Sequence, residues 1–225
     1  QPLIFTPTAT ADWVAKYSEE LTHYQNEDYA ARYRALVDKT ADAESNKVPG
    51  RTELATVVAK AAHKLMAYKD EYEVARLYSA PEFLQKLEEQ FEGDYTLEFN
   101  LAPPIIAPKD KTTGLPTKIQ FGPWMLKAFG LLAKFKFLRG TKFDPFGYFE
   151  ERKMERGLID KYFDIVEVLL RDLNADNHAL AIEIAELPMT IRGYGHVKHE
   201  NVQEAHAKLE ALLVEWPQVK REMAA

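Results

Sequence analysis

The stretch LIDKYFDIVEVLLRDL, residues 158–173, puts Leu158, Tyr162, Ile165, Val166, Leu169, Leu170 and Leu173 on one face of a helix. Apolar residues recurring at three- and four-residue intervals mark a helix that buries one side. This is the longest clean run of its kind in the 225 residues, and the same period recurs on both sides of it. Downstream, Asn174 or Asp176 can cap a helix through Leu180 and Ile184 to Leu187, which stops at Pro188. A glycine-containing loop at 191–197 precedes a last helix that buries Val202, Ala205, Leu209, Leu212, Leu213 and Trp216. Near the start, Trp13, Tyr17, Leu21 and Tyr24 follow a Thr10 cap. Tyr29, Tyr33, Leu36 and Val37 make a second stripe behind an Asn26 cap, so an αα-hairpin is predicted.

Residues 44–51 read as a linker, because Pro49-Gly50 punctuates a polar run. Thr52 then caps a helix with Leu54, Val57, Val58, Ala61, Ala62 and Leu65 on one face. It is read as running on, with room for a break, through Tyr68, Tyr72, Val74, Ala75 and Leu77. A short helix follows with Pro81 in its first turn. Gly93 ends the helical run, and the period changes to two: Tyr95, Leu97 and Phe99 alternate with polar residues, a strand pattern. Pro103-Pro104 stops that strand, 108–116 is turn chemistry, and Ile119 and Phe121 make a second strand. Helix returns at Trp124 with Met125, Phe129, Leu132 and Phe135 as its stripe. The expected fold is mainly α (α+β): a helical domain with one small antiparallel β-hairpin near 95–122 and an N-terminal αα-hairpin. The expected division is a hairpin and linker at 1–50, then a mostly helical domain at 51–225.

With 46% hydrophobic and 28% charged residues the chain belongs with globular proteins rather than disordered ones. No stretch approaches the roughly 20 uninterrupted apolar residues of a membrane span. The nearest, 124–138, is broken by Lys127, Lys134 and Lys136. No basic region followed by an apolar run opens the chain, so no signal peptide is visible and a cytoplasmic setting is expected. The sequence begins at Gln1 and is read as a processed chain or an excerpt of a longer one. It contains no cysteine, which excludes disulfides, thiol catalysis and thiolate-ligated zinc or iron–sulfur clusters within it. A formal charge of −6 argues against nucleic acid as a general partner.

That charge is unevenly spread. Residues 122–143 carry Lys127, Lys134, Lys136, Arg139 and Lys142 and no acid, so removing these five positives takes the total from −6 to −11. The block reads as a solvated helix face, as a docking surface for an acidic partner, or as a membrane-surface helix. Among the histidines, His196, His199 and His206 lack the two-His-plus-Glu zinc spacing and are read as exposed or capping. His63 is read as a partly buried hydrogen-bonder, and His23 and His178 carry no pattern. Lys69, Asp70, Glu73 and Arg76, with Tyr72 and Tyr78, read as an internal ion-pair network rather than an anion site. The run 192–196, Arg-Gly-Tyr-Gly-His, is a weak phosphate-loop signal, better read as a tight turn. No dinucleotide fingerprint, P-loop or nucleophile triad is visible.

Several strings, taken in order, resemble one family: KLMAYKDEYEVARLY (64–78), FEGDYTLEFNLAPPIIA (91–107), FGPWML (121–126), LRGTKFDPFGY (138–148), ERKMER (151–156) and NHALAIEIAELPMTIRGYGHVK (177–198). HYQNEDYAARYRALV (23–37) fits the stretch that precedes them. The chain thus resembles the C-terminal region of indolepyruvate ferredoxin oxidoreductases, of the 2-oxoacid:ferredoxin oxidoreductase group. For the full enzyme the resemblance implies oxidative decarboxylation of aryl-pyruvates to acyl-CoA. Thiamine diphosphate and iron–sulfur clusters would serve that chemistry, and ferredoxin would receive the electrons. No cofactor is expected in this chain, because it has no cysteine and no recognisable thiamine-diphosphate motif. No catalytic residue of the family carries over. The implied partners are other domains or subunits of the enzyme. In the alternative reading the basic block docks ferredoxin or CoA phosphates, with Lys134, Lys136, Arg139, Lys142 and Arg192 as ligands.

Overall fold

The computed structural model describes residues 9–103, 107–108, 114 and 117–216. Most of the turn expected at 108–116 lies outside them. In chain order the elements are α1 (Thr10–Tyr24), α2 (Glu27–Lys47), α3 (Glu53–Met66), α4 (Glu71–Ser79), α5 (Pro81–Gln90), β1 (Phe99–Leu101) and β2 (Ile119–Phe121). Then come α6 (Met125–Lys134), α7 (Glu150–Asp172), α8 (His178–Glu186) and α9 (Gly195–Glu215), with single 3-10 turns at Phe135–Leu138 and Leu187–Thr190. The expected mainly-α architecture with one small antiparallel hairpin is what the chain adopts.

The chain forms two compact units, one of residues 1–68 with 145–225 and one of 69–144. These limits differ from the expected division at residue 50. The reason lies in the core: Leu21, Tyr33 and Val37 of the N-terminal hairpin bury into the same cluster as Val58 of α3, Val166 of α7 and Leu209 of α9. In that discontinuous unit α3 is central. Ala55, Ala59, Ala61 and Ala62 are fully or almost fully buried, and side chains this small let neighbouring helices approach from several sides.

Helix ends in this unit are closed from neighbouring helices. The first amides of α3 have no intrahelical partner, and Leu54 N and Ala55 N donate to the two carboxylate oxygens of Glu44 at 2.8 and 2.9 Å. Thr52, the residue expected to cap α3, makes no side-chain cap bond. Glu44 belongs to the last turn of α2, which continues to Lys47 beyond the expected start of the linker. At the other end of α3, Tyr29 Oη donates to Met66 O at 3.0 Å, and Tyr24 Oη donates to Tyr68 O at 3.0 Å. Lys47 Nζ closes α7, donating to Leu170 O at 2.8 Å and Arg171 O at 2.6 Å, where an ammonium also meets the negative end of the helix dipole. Tyr162 Oη donates to Ala185 O of α8 at 3.0 Å. Asn26 caps α2 as expected, accepting from Tyr29 N at 2.9 Å.

In the 69–144 unit, Ala75, Phe99, Met125 and Phe129 form a small core. Phe99 and Phe129 meet edge to face at 5.3 Å between ring centres, and Tyr78 lies 5.6 and 5.5 Å from them. The hairpin pairs Phe99 with Phe121, Asn100 with Gln120 and Leu101 with Ile119. The strand pattern expected from Tyr95 is realised only from Phe99, because the partner strand offers three residues. The helix expected to run past Tyr68 breaks at Ala67, and α4 starts afresh behind an Asp70 cap.

Two stability predictions follow from these contacts. Replacing Glu44 by Ala strands two buried amides and a histidine, at a cost of about 3 kcal/mol or more in urea unfolding; a loss below about 1 kcal/mol contradicts the capping role. The second concerns His206, which lines a cavity of about 40 Å³ with Leu65, Tyr162, Ile184 and Leu209. Burial pushes its pKa below the ordinary 6.5, Lys161 pushes the same way, and Glu210 partly offsets both. The unfolded chain then binds this proton more readily, so His206 costs no stability above pH 6.5 and an increasing amount as pH falls below it. His206→Leu is expected to flatten the fall of the urea midpoint below that pH, and an unchanged slope contradicts it.

Candidate functional site

The basic segment 122–143 divides into buried and exposed charge. Arg139 is not a free ligand. It is buried, and its Nη2 donates to Asp70 Oδ1 at 2.9 Å while Nε binds the other oxygen of the same carboxylate. Such a two-point grip fixes a guanidinium in place, and its carbon lies 5.6 Å from the centre of the Tyr72 ring. The same Asp70 caps α4, accepting from Glu73 N at 2.8 Å. Beside it Tyr72 Oη donates to Asp144 Oδ1 at 3.1 Å, and Gly140 N donates to Asp144 Oδ2 at 2.9 Å. Arg76 grips Glu73 with two bonds of 2.8 and 2.7 Å. Of the residues read as an internal ion-pair network, Asp70, Tyr72, Glu73 and Arg76 make such bonds, and those of Asp70 and Tyr72 tie the start of this unit to its end; Lys69 is exposed and Tyr78 packs among aromatic rings.

Lys136 is half-buried, and its pKa is lowered by burial first and then by Arg139 and Arg76, against the pull of Glu73. Lys134 and Lys142 are exposed. The buried face of α6 carries Met125 and Phe129, yet its outer face is not polar. Trp124, Lys127, Leu131, Lys134 and Phe135 follow one another along the outside, all exposed. Phe137 and Phe143 beyond them expose 62% and 80% of their surface. A helix apolar on both faces calls for cover on the second one.

Arg192 lies in the other unit and does not join Lys134, Lys136 and Lys142 within one compact body. It opens a turn in which Gly193 adopts φ +87°; a Cβ there would come within 2.8 Å of Val197, so the tight-turn reading fits. Asn201 Nδ2 ties the turn together, donating to Arg192 O at 2.9 Å and Val197 O at 3.0 Å. Gly195 N, at the start of α9, donates to Glu151 Oε1 at 3.3 Å. Beneath the turn Glu155 of α7 is buried and held by Arg152 and Lys198. Lys64 of α3 reaches the same region, donating to Met189 O at 2.8 Å. Its pKa is lowered by burial, then by Arg192 and Lys198. Arg192, Met189 and Thr190 line a cleft of about 460 Å³ with Glu183, Glu186 and Lys208.

Glu44, Glu53 and His178 place potential metal ligands within 4.8 Å of one another. Their atoms are already engaged. Glu44 accepts two amides and also His178 Nε2 at 2.7 Å, while Glu53 accepts from Arg51 at 2.9 Å and from Thr52 N at 3.0 Å. The trio is a helix cap extended by one imidazole. The Glu44–His178 pair escaped the sequence reading, although Tyr33, Val37, Thr40 and Glu44 continue one stripe of α2 at steps of four, three and four. Of the loop histidines, His196 and His199 are exposed, and His199 Nε2 lies 3.1 Å from Gln203 Nε2. His63 stacks on Tyr17 at 3.9 Å and sits 2.9 Å from Glu20.

Comparison with known proteins gives one family match: a family of unknown function, DUF6537, covers residues 10–211. No curated protein and no solved structure matches the chain.

The split between buried and exposed charge is open to test. Arg139→Met leaves Asp70 buried and unpaired, and is expected to destabilise the 69–144 unit by about 3 kcal/mol. Lys134→Glu, at an exposed position, is expected to change stability by less than about 0.5 kcal/mol. Hydrogen exchange across the 69–144 amides measures both, and equal effects contradict the division.

Proposed function

The chain belongs to the DUF6537 family, and we propose that it serves as a non-catalytic assembly domain of an indolepyruvate ferredoxin oxidoreductase-like enzyme. The supporting observation is the fate of the charged residues in the strings that carry the resemblance. Asp70 holds Arg139, Glu73 holds Arg76, Asp144 accepts from Tyr72, and Glu155 is held by Arg152 and Lys198. Groups consumed in buried pairs shape a fold and are poorly placed for proton transfer. With no cysteine in the chain, the proposed iron–sulfur clusters sit on other segments, as does thiamine diphosphate.

The test is expression of the full reading frame with and without residues 10–211. The proposal expects cysteine clusters and a thiamine-diphosphate motif elsewhere in that frame. It also expects the truncated protein to keep its cluster absorbance, lose its subunit association on gel filtration, and lose indolepyruvate-dependent ferredoxin reduction. Retained assembly and activity would overturn it.

The outer stripe of α6 favours a second reading, in which this surface docks an acidic ferredoxin. Lys127, Lys134 and Lys142 would steer the partner and Trp124, Leu131 and Phe135 would be covered by it, while Arg139 is withdrawn as a ligand because Asp70 holds it. Charge reversal at Lys127, Lys134 and Lys142 together is expected to weaken ferredoxin binding about tenfold or more at low salt, and less at high salt. Loss of CoA binding with ferredoxin binding intact would assign the surface to CoA phosphates instead.

A further inference from the structure

The 69–144 unit exposes charge of both signs in separate places, each mixed with uncovered aromatic rings. Along the outside of α6, Lys127 and Lys134 are exposed beside Trp124, Leu131 and Phe135. Neither lysine forms an ion pair among the described residues. Trp124 meets Phe121 edge to face at 5.9 Å between ring centres, and Phe135 lies 6.0 Å from Phe137. The counterpart lies at 82–98, which holds Glu82, Glu88, Glu89, Glu92, Asp94 and Glu98 against one lysine, Lys86, a formal balance of −5. In α5 Phe83, Leu84 and Leu87 are half-buried, while Glu82, Glu88 and Glu89 are exposed. Past its end Glu92 and Asp94 are exposed between Phe91 and Tyr95, two exposed rings 5.9 Å apart. Among the described residues Glu82, Glu88, Glu92 and Asp94 have no ion-pair partner, and Glu89 takes only Gln85 Nε2 at 2.9 Å.

We propose that a second copy of this chain covers both surfaces: the basic stripe of α6 in one copy docks on the acidic 82–98 segment of the other. Charge complementarity selects this occupant. Exposed Lys127, Lys134 and Lys142 lie in a block without one acid, and the 82–98 segment is acidic but for Lys86. Each surface also carries exposed aromatic rings of the kind that anchor the centre of an interface. In a two-fold pair each copy gives its basic stripe to one contact and its acidic segment to the other, so one association covers both surfaces in both copies. The inference rests on the assembly reading, to which it adds a named partner. The ferredoxin reading gives the α6 stripe to a different acidic protein and leaves Phe91 and Tyr95 uncovered.

The experiment measures the mass of the whole 225-residue chain by sedimentation equilibrium over a range of protein and salt concentrations. The parent chain should associate at low salt and more weakly as salt is raised. Lys127→Glu combined with Lys134→Glu should weaken association about tenfold or more, and so should Glu88→Lys combined with Glu89→Lys. All four positions are exposed, so both variants should keep the fold. Mixing the two variants should restore association, because each then offers the sign that the other needs. A general effect of charge on solubility or folding gives no such rescue. A chain that stays monomeric under every condition, or a mixture that stays as weak as its components, overturns the proposal. Either result leaves the assembly reading to its own test, the truncation of the full reading frame. An acidic ferredoxin that binds a monomeric parent chain through Lys127 and Lys134 likewise overturns self-pairing and gives the stripe to the docking reading.

Discussion

The carboxylate of Glu44 lies inside the discontinuous unit, 1% exposed, where a charge is costly unless every lone pair is used. Three donors use it: the first free amides of α3, at Leu54 and Ala55, and His178 Nε2 at the start of α8. One side chain therefore fixes the end of α2, the beginning of α3 and the position of α8. The positive end of the α3 dipole favours the negative charge there. With α3 placed, its alanine-rich surface sets how closely the surrounding helices pack.

The same principle recurs at the ends of α3, α7 and α8. Tyr24 and Tyr29 close the far side of α3, Tyr162 closes α8, and Lys47 closes α7, each from a helix other than the one it closes. In the 69–144 unit Asp70 both caps α4 and holds Arg139. Polar side chains inside this protein thus satisfy backbone groups that the helices cannot satisfy themselves. What remains outward is informative by contrast: the outer stripe of α6 mixes exposed Trp124, Leu131 and Phe135 with exposed Lys127 and Lys134.

Helix positions were legible in the sequence because their cause is local. The 158–173 stripe, the Asn26 cap and the first-turn Pro81 act within a few residues, and the helices follow them. The β-hairpin was legible in kind but not in extent: both strands hold three residues, and β1 runs Phe99–Leu101 rather than from Tyr95. The division into units was not legible, because 1–68 and 145–225 meet through packing between residues more than a hundred positions apart. Glu44 and His178 are 134 residues apart, so no spacing rule connects them. Arg139 looked like a free cation for the same reason: its partner Asp70 lies 69 residues earlier.

The claim that Glu44 organises the discontinuous unit is tested most directly at two amides. Hydrogen exchange should find Leu54 N–H and Ala55 N–H among the slowest in the chain, although first-turn amides of a helix ordinarily exchange fast. In Glu44→Gln, which keeps the shape and removes the charge, the account predicts that both lose protection and that the amides of α8 near His178 lose it with them. Unchanged protection at Leu54 and Ala55 would show that the carboxylate is a passenger in a core held by other means.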